Sequence, residues 1–120
     1  MPVSPKHILN VAATEALRET RELLLKQMGY LVVSATNIRE LSHVCRRSLF
    51  DLAIIGHGFD PAKKKRIAAI IRQHCPGTPL LEMCRVSPEI PDSEFVLHGA
   101  DPQDLVNEVN AILRGDARKG

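Results

Sequence analysis

The chain has 120 residues, of which 44% are hydrophobic, 25% are charged and 3% are aromatic, and its formal net charge is +2. This length fits one domain, the core must be mainly aliphatic, and so small a charge does not by itself indicate nucleic acid. The longest apolar runs fall short of the roughly 18 residues that a membrane span needs.

Two strand-helix units are predicted in the first half of the chain. Residues 8–13 predict a buried strand, Thr14 can cap the following helix, and Gly29 supplies its stop. The apolar stripe of this helix consists of Leu17, Leu24, Leu25 and Met28. Residues 30–34 predict a second strand, and Asn37 with Glu40 resembles the capping box of a second helix. The apolar stripe of that helix consists of Leu41, Val44, Cys45 and Leu49.

The middle of the chain predicts a third unit. Residues 50–56 contain a continuous apolar run, as expected for a strand that is covered on both faces. Asp60 and Pro61 suit the N-cap and first turn of a third helix. Its inward face consists of Ile67, Ile70 and Ile71.

Two further strands and one helix are predicted in the last third. Residues 79–84 predict a fourth strand, in which Glu82 needs either the rim of the sheet or a partner. Residues 85–94 contain two prolines and show no helical period. Residues 95–97 predict a fifth strand, and Asp101 begins a last helix. Its apolar stripe consists of Leu105, Val109, Ile112 and Leu113.

This alternation predicts a parallel sheet with helices on both faces and functional side chains at its C-terminal edge. Without repeats or a linker, we expect one domain over residues 1–120, with its core in 6–114 and a polar tail at 115–120. Cysteines 45, 75 and 84 fit neither a disulfide framework nor a zinc knuckle, and the N-terminus lacks a secretory apolar region. We therefore expect a cytoplasmic protein.

Three segments carry a resemblance to a known family. They are the Phe50–Ile55 strand, the Cys75–Leu81 approach to the fourth strand, and the Gly99–Leu105 entry to the last helix. Over residues 7–114 the chain resembles the receiver domain of response regulators in two-component phosphorelay signalling. The resemblance implies a flavodoxin-like (CheY-like) three-layer α/β sandwich with five parallel strands in the order 2-1-3-4-5. The fourth helix of the family is expected to be short or missing.

The same resemblance marks the positions where receiver domains carry their phosphorylation chemistry. The acidic pair is replaced by Ala12 and Ala13, and the phosphoacceptor aspartate is replaced by Gly56. Aspartyl phosphate formation needs a carboxylate nucleophile and oxygen ligands for Mg²⁺, which these residues lack. The hydroxyl residue becomes Cys84, the lysine becomes His98, and Phe95 matches the switch aromatic. The resemblance therefore implies a degenerate pseudo-receiver with no catalytic residue and no cofactor.

Two other functions remain open for this edge of the sheet and its neighbourhood. His57, Cys84 and His98 all fall at predicted strand ends, where they could bind a transition metal, or Cys84 and His57 could act as a nucleophile pair. The basic run Lys63, Lys64, Lys65 and Arg66 could dock on phosphates or on an acidic partner. This run lacks interleaved aromatic residues, which makes nucleic acid the less favoured partner.

The favoured hypothesis is a phosphorylation-independent module that binds a protein partner in a signalling pathway. We expect no membrane partner, and a homodimer stays open. The candidate partner surface combines the irregular segment 85–94 with the fifth strand and the last helix, and the irregular segment is the candidate recognition loop because loops vary without disturbing the core. Its members are Glu89, Ile90, Asp92 and Phe95.

Overall fold

The computed structural model of the protein describes residues 5–114. Its strands are β1 (His7–Val11), β2 (Leu31–Ala35), β3 (Leu52–Ile55), β4 (Leu80–Cys84) and β5 (Phe95–His98). Its helices are α1 (Glu15–Gln27), α2 (Ile38–Arg47), α3 (Pro61–His74) and α4 (Pro102–Leu113). All neighbouring strands pair in parallel, in the order β2-β1-β3-β4-β5. The predicted fold class and strand order are confirmed.

The sheet separates two apolar layers. Successive residues of a strand face opposite sides, so Ile54 and Ile55 of β3 enter different clusters although neither is exposed. Ile55 packs in the layer of α2 and α3, together with Ile67. Ile54 packs in the layer of α1 and α4, together with Leu105. Burial of such side chains, at about 1.5–3 kcal/mol each, is the main favourable term in folding.

The four predicted N-cap residues are confirmed, and at three of them the side chain accepts a capping hydrogen bond. Thr14 Oγ1 accepts a hydrogen bond from Leu17 N at 3.2 Å, and Asn37 Oδ1 accepts one from Glu40 N at 2.9 Å. Asp101 Oδ1 accepts from Gln103 N at 2.8 Å. Asp60 makes no such side-chain bond within residues 5–114, although its carbonyl accepts from Lys64 N at 2.9 Å and Pro61 occupies the first turn of α3.

One residue of the predicted apolar stripe of the second helix lies outside it. α2 ends at Arg47, and Ser48 has extended backbone with φ −142°. Helical periodicity therefore stops before Leu49, whose side chain is 91% exposed. The prediction that Leu49 is buried is wrong.

Residues 85–94 form bends and a turn and contain no helix, as predicted. Asp92 in this segment adopts a positive φ of 60°, which places it in the turn. The predicted polar tail at 115–120 lies outside the described residues. Among the helices of residues 5–114, none has the length and apolarity that crossing a membrane requires.

Candidate functional site

Four of the positions that the resemblance marks meet at the C-terminal edge of the sheet. Ala12 follows β1 directly and is buried, and Gly56 follows β3, with its N–H donating to Val11 O at 2.9 Å. Cys84 and His98 end β4 and β5 and are register partners. The predicted clustering of these positions therefore follows from the parallel register.

A guanidinium group occupies the space beside Gly56. A Cβ atom placed on Gly56 would collide with Nη1 of Arg21 and would lie 3.3 Å from Arg21 Cζ. The same Cβ would lie 3.4 Å from Val11 O. Any side chain at position 56 would therefore need the α1 arginine to move.

Arg21 is a buried arginine that has no carboxylate partner within the described part of the chain. Its residue is 5% exposed, and within residues 5–114 its Nη1 atom finds no hydrogen-bond partner. Burial lowers the pKa of the guanidinium, because the charged form loses its hydration. The sequence could have indicated that Arg21 is buried, because it lies four positions from both Leu17 and Leu25 in the apolar stripe of α1.

A polar network holds the part of α1 that carries Arg21 against the sheet. Asn10, buried in β1, donates from Nδ2 to Ser34 Oγ at 3.1 Å and to Arg18 O at 3.3 Å. Ser34 Oγ in turn donates to Glu22 Oε1 at 2.6 Å. Arg18 and Glu22 flank Arg21 in the sequence, so these bonds limit how far its backbone can shift.

His57 follows Gly56 and is 9% exposed. Neither of its ring nitrogens has a hydrogen-bond partner in the described part of the chain. Burial lowers the pKa of His57, and the positive charges of Arg21, Arg85 and Lys64 lower it further. The imidazole is therefore neutral near pH 7.

Cys84 and His98 come together, but His57 does not join them in a metal site. Cys84 Sγ lies 3.5 Å from His98 Nδ1. Across residues 5–114, no group of three histidine, cysteine, aspartate or glutamate side chains is arranged to hold a metal ion. The described residues therefore give no support to the metal alternative built on His57, Cys84 and His98.

The thiol alternative finds no support in the electrostatics. Burial raises the pKa of the Cys84 thiol, and the negative charge of Glu82 raises it further. A nucleophilic cysteine needs the opposite shift, because the thiolate is the reactive form.

Glu82, for which the sequence required either the rim of the sheet or a partner, has a buried lysine as its partner. Glu82 Oε2 lies 3.0 Å from Nζ of Lys64, and the two side chains are 0% and 1% exposed. Lys64 Nζ also donates to Met83 O at 2.7 Å and to Glu89 Oε1 at 3.2 Å. All three ammonium protons therefore have acceptors.

Glu82 also fixes the segment that replaces a helix between β4 and β5. Its carboxylate accepts from Glu89 N at 2.7 Å, from Ile90 N at 3.1 Å and from Ser93 Oγ at 3.3 Å. Arg72 Nη2 on α3 holds the turn by donating to Asp92 O at 2.6 Å. The irregular segment is thus anchored by the buried carboxylate of Glu82 and by the exposed guanidinium of Arg72.

These contacts change the make-up of two predicted surfaces. Lys64 is buried, so the exposed surface of the basic run consists of Lys63, Lys65 and Arg66. Ile90 cannot belong to the predicted partner surface, because it is 4% exposed and packs in the core cluster of α2 and α3. Phe95 is half-buried against the opposite cluster. The exposed part of the irregular segment includes residues 85–88, with Val86 88% exposed.

A cleft of about 360 Å³ opens beside the C-terminal edge of the sheet. Its lining combines residues that follow β3, the buried lysine of α3 and the start of the irregular segment. These residues are His57, Gly58, Lys64, Cys84, Arg85, Val86, Ser87 and Glu89.

Solved structures share this fold over nearly their whole length. The chemotaxis protein CheY4 of Vibrio cholerae superposes with a TM-score of 0.77 at 20% identity, covering 91% of this chain and 99% of its own. A two-component response regulator from Clostridium difficile gives 0.78 at 16% identity, covering 94% and 99%. A putative response regulator from Chloroflexus aurantiacus gives 0.71 at 25% identity, covering 92% and 99%. No protein-family model and no curated protein matches the sequence. The fold is that of CheY-like receiver domains.

Proposed function

We propose that this chain is a pseudo-receiver, a cytoplasmic signalling module that takes no phosphate and acts through protein–protein contacts. The observation that carries the proposal is the Arg21 guanidinium beside Gly56. In a receiver domain this place belongs to the phosphoacceptor side chain. Here it holds a positively charged group that is not a nucleophile.

The residues at the end of β1 support the same conclusion. Ala12 and Ala13 have no side-chain oxygen, whereas Mg²⁺ prefers oxygen ligands in near-octahedral geometry. The nearby charges of Arg21 and Arg85 would also repel a divalent cation. The edge of the sheet therefore favours neither the nucleophile nor the metal of aspartyl phosphorylation.

Intact mass measurement tests this directly. The protein is incubated with acetyl phosphate and Mg²⁺, beside an active receiver domain as a positive control. We expect an unchanged mass for this chain and a phosphorylated species for the control. An acid-labile phosphate adduct on this chain would contradict the proposal.

The exposed residues 85–88 are the favoured partner surface. Glu82 and Arg72 hold the neighbouring residues in place, so this tip is presented without the phosphate-driven change of a conventional receiver. Val86 supplies an exposed apolar group at its centre. Partner binding here would be constitutive, or controlled by abundance or by another ligand.

A second surface offers an alternative docking mode. α3 exposes Lys63, Lys65 and Arg66, and α2, which packs beside it, exposes Arg46 and Arg47. Such a surface suits an acidic partner. Replacing Lys63, Lys65 and Arg66 together by glutamine should then abolish partner capture, and raised salt should weaken it in the unaltered protein. If capture survives the triple replacement, the 85–88 surface is favoured.

A further inference from the structure

We propose that the cleft beside the C-terminal edge of the sheet binds a phosphate-bearing small molecule non-covalently and without a metal ion. Arg85, His57 and Ser87 line the cleft, and Arg21 lies beside Gly56, directly before His57 in the chain. The proposal rests on the proposed function in one respect, since Gly56 leaves no covalent acceptor. It goes further by naming a ligand that could replace phosphorylation as the input.

The first argument is the balance of charge. Within residues 5–114, neither Arg21 nor Arg85 forms an ion pair with a carboxylate. Lys64 is engaged by Glu82 and Glu89, so those two carboxylates are directed at the lysine. Arg21 lines a neighbouring pocket between α1 and the start of α4 and not this cleft, so it adds only positive charge nearby. Arg85 lines the cleft, and its guanidinium is the cation that an anion there would meet.

The second argument is the set of hydrogen-bonding groups. His57 is more than nine-tenths buried, and across the described residues both of its ring nitrogens are unsatisfied. Buried polar atoms normally have partners, so each such atom calls for an explanation. The exposed Arg85 guanidinium and the Ser87 hydroxyl lie in the same cleft, and both can donate to phosphate oxygens.

The third argument is size. The cleft measures about 360 Å³, at the lower end of the roughly 300–1,000 Å³ of small-molecule sites. This volume exceeds what one phosphate ion fills, which favours a phosphate group carried by a small molecule. Gly58, whose φ is +96°, lines the cleft without a side chain and leaves room for that group.

An NMR titration of the full chain without Mg²⁺ tests the site. The probes are inorganic phosphate, adenosine monophosphate and adenosine, at an ionic strength held constant with chloride. We expect saturable shifts of the backbone amides of His57, Gly58, Arg85 and Ser87 with the phosphate probes only. Arg85→Gln should weaken binding about tenfold, the value of one charge-assisted hydrogen bond. The matched control is Arg66→Gln, at an exposed arginine of the basic run outside the cleft, which tests whether phosphate binds that run instead.

Each outcome of the titration bears on the proposal. Tighter binding of the nucleotide than of inorganic phosphate supports the proposal, and equal or tighter binding of inorganic phosphate overturns it, because the proposal names a phosphate group carried by a small molecule. The proposal is overturned if no shift saturates, if adenosine binds as well as its phosphate, or if Arg66→Gln rather than Arg85→Gln abolishes binding. Thermal unfolding checks that both variants keep the fold. A covalent mass change would contradict the proposed function separately, because these shifts report reversible binding.

Discussion

Lys64 and Glu82 form an ion pair of 3.0 Å in the interior, although they lie on different elements and 18 positions apart in the sequence. The pair connects α3, the middle of β4 and the irregular segment that follows. Because all the donors and acceptors involved are satisfied, removal of one partner should affect the whole assembly.

Lys64→Met should strongly destabilise the protein. It leaves the Glu82 carboxylate buried without its counter-charge, and breaking such a pair typically costs about 3–5 kcal/mol. Urea denaturation gives the free energy of unfolding. The control is Lys65→Met, at an exposed neighbouring position, for which we expect a change within about 0.5 kcal/mol. Similar losses in both variants would contradict the role of the pair.

Stability should fall in acid partly because of Glu82. Burial would raise the pKa of this carboxyl, but the bonds from Glu89 N, Lys64 and Ile90 N outweigh it and hold the pKa below its ordinary value of 4.5. A lowered folded-state pKa stabilises the protein above pH 4.5, and the contribution is lost as pH falls through the folded value. Unfolding measured from pH 7 to pH 3 should show this loss.

Two variants distinguish the contribution of Glu82 to the acid-dependent loss of stability from that of the other carboxylates. Glu82→Gln should lower stability near neutral pH and flatten its fall in acid. Glu19→Gln, at an exposed position of α1, should leave the curve close to that of the unaltered protein. A steep acid transition that persists in Glu82→Gln would assign it to other carboxylates, such as Glu94, whose pKa is also lowered.

Restoring the acidic residue at the end of β3 should not restore phosphorylation. Gly56→Asp places a carboxylate against the Arg21 guanidinium, and Ala12 and Ala13 still provide no oxygen ligand for Mg²⁺. We expect the intact mass to stay unchanged with acetyl phosphate and Mg²⁺. A phosphorylated Gly56→Asp protein would mean that the arginine moves aside easily and that the alanines are not limiting.

Substitutions at Ile90 and Val86 should distinguish the part of the irregular segment that stabilises the fold from the part that binds a partner. Ile90→Ala removes a side chain that is 4% exposed and should cost about 2–5 kcal/mol. Val86→Ser changes a side chain that is 88% exposed and should leave stability unchanged while it weakens partner capture. Both are measured by denaturation and by pull-down from the native host. Unchanged capture by Val86→Ser would direct attention to Lys63, Lys65 and Arg66.

The fold was predictable because each level of the sequence agreed with it. The apolar runs were short enough for strands, Thr14 and Asp101 marked helix starts, and the prolines of residues 85–94 excluded a helix there. The boundaries were less secure, and Leu49 was assigned to a helix that had already ended. Periodicity alone does not show where a helix stops.

The site was predictable by position but not by chemistry. Strand order brings Gly56, Cys84 and His98 to one edge whatever their side chains do. The decisive contacts of Arg21 and Lys64 join residues on different elements, and local charge patterns treat both as solvent-facing. Local signs of burial were nevertheless present, since Arg21 and Lys64 lie at helical spacing from apolar residues and Glu82 lies inside an apolar strand.

The bonds that Glu82 makes also bear on how residues 85–94 move. In most loops the amide hydrogens exchange with solvent through small local openings. The N–H groups of Glu89 and Ile90 instead point to a buried carboxylate. Releasing them removes two donors from a carboxylate that is 0% exposed, so their exchange should approach the slow exchange of the central strands. A segment without regular secondary structure would then belong to the most slowly opening part of the molecule.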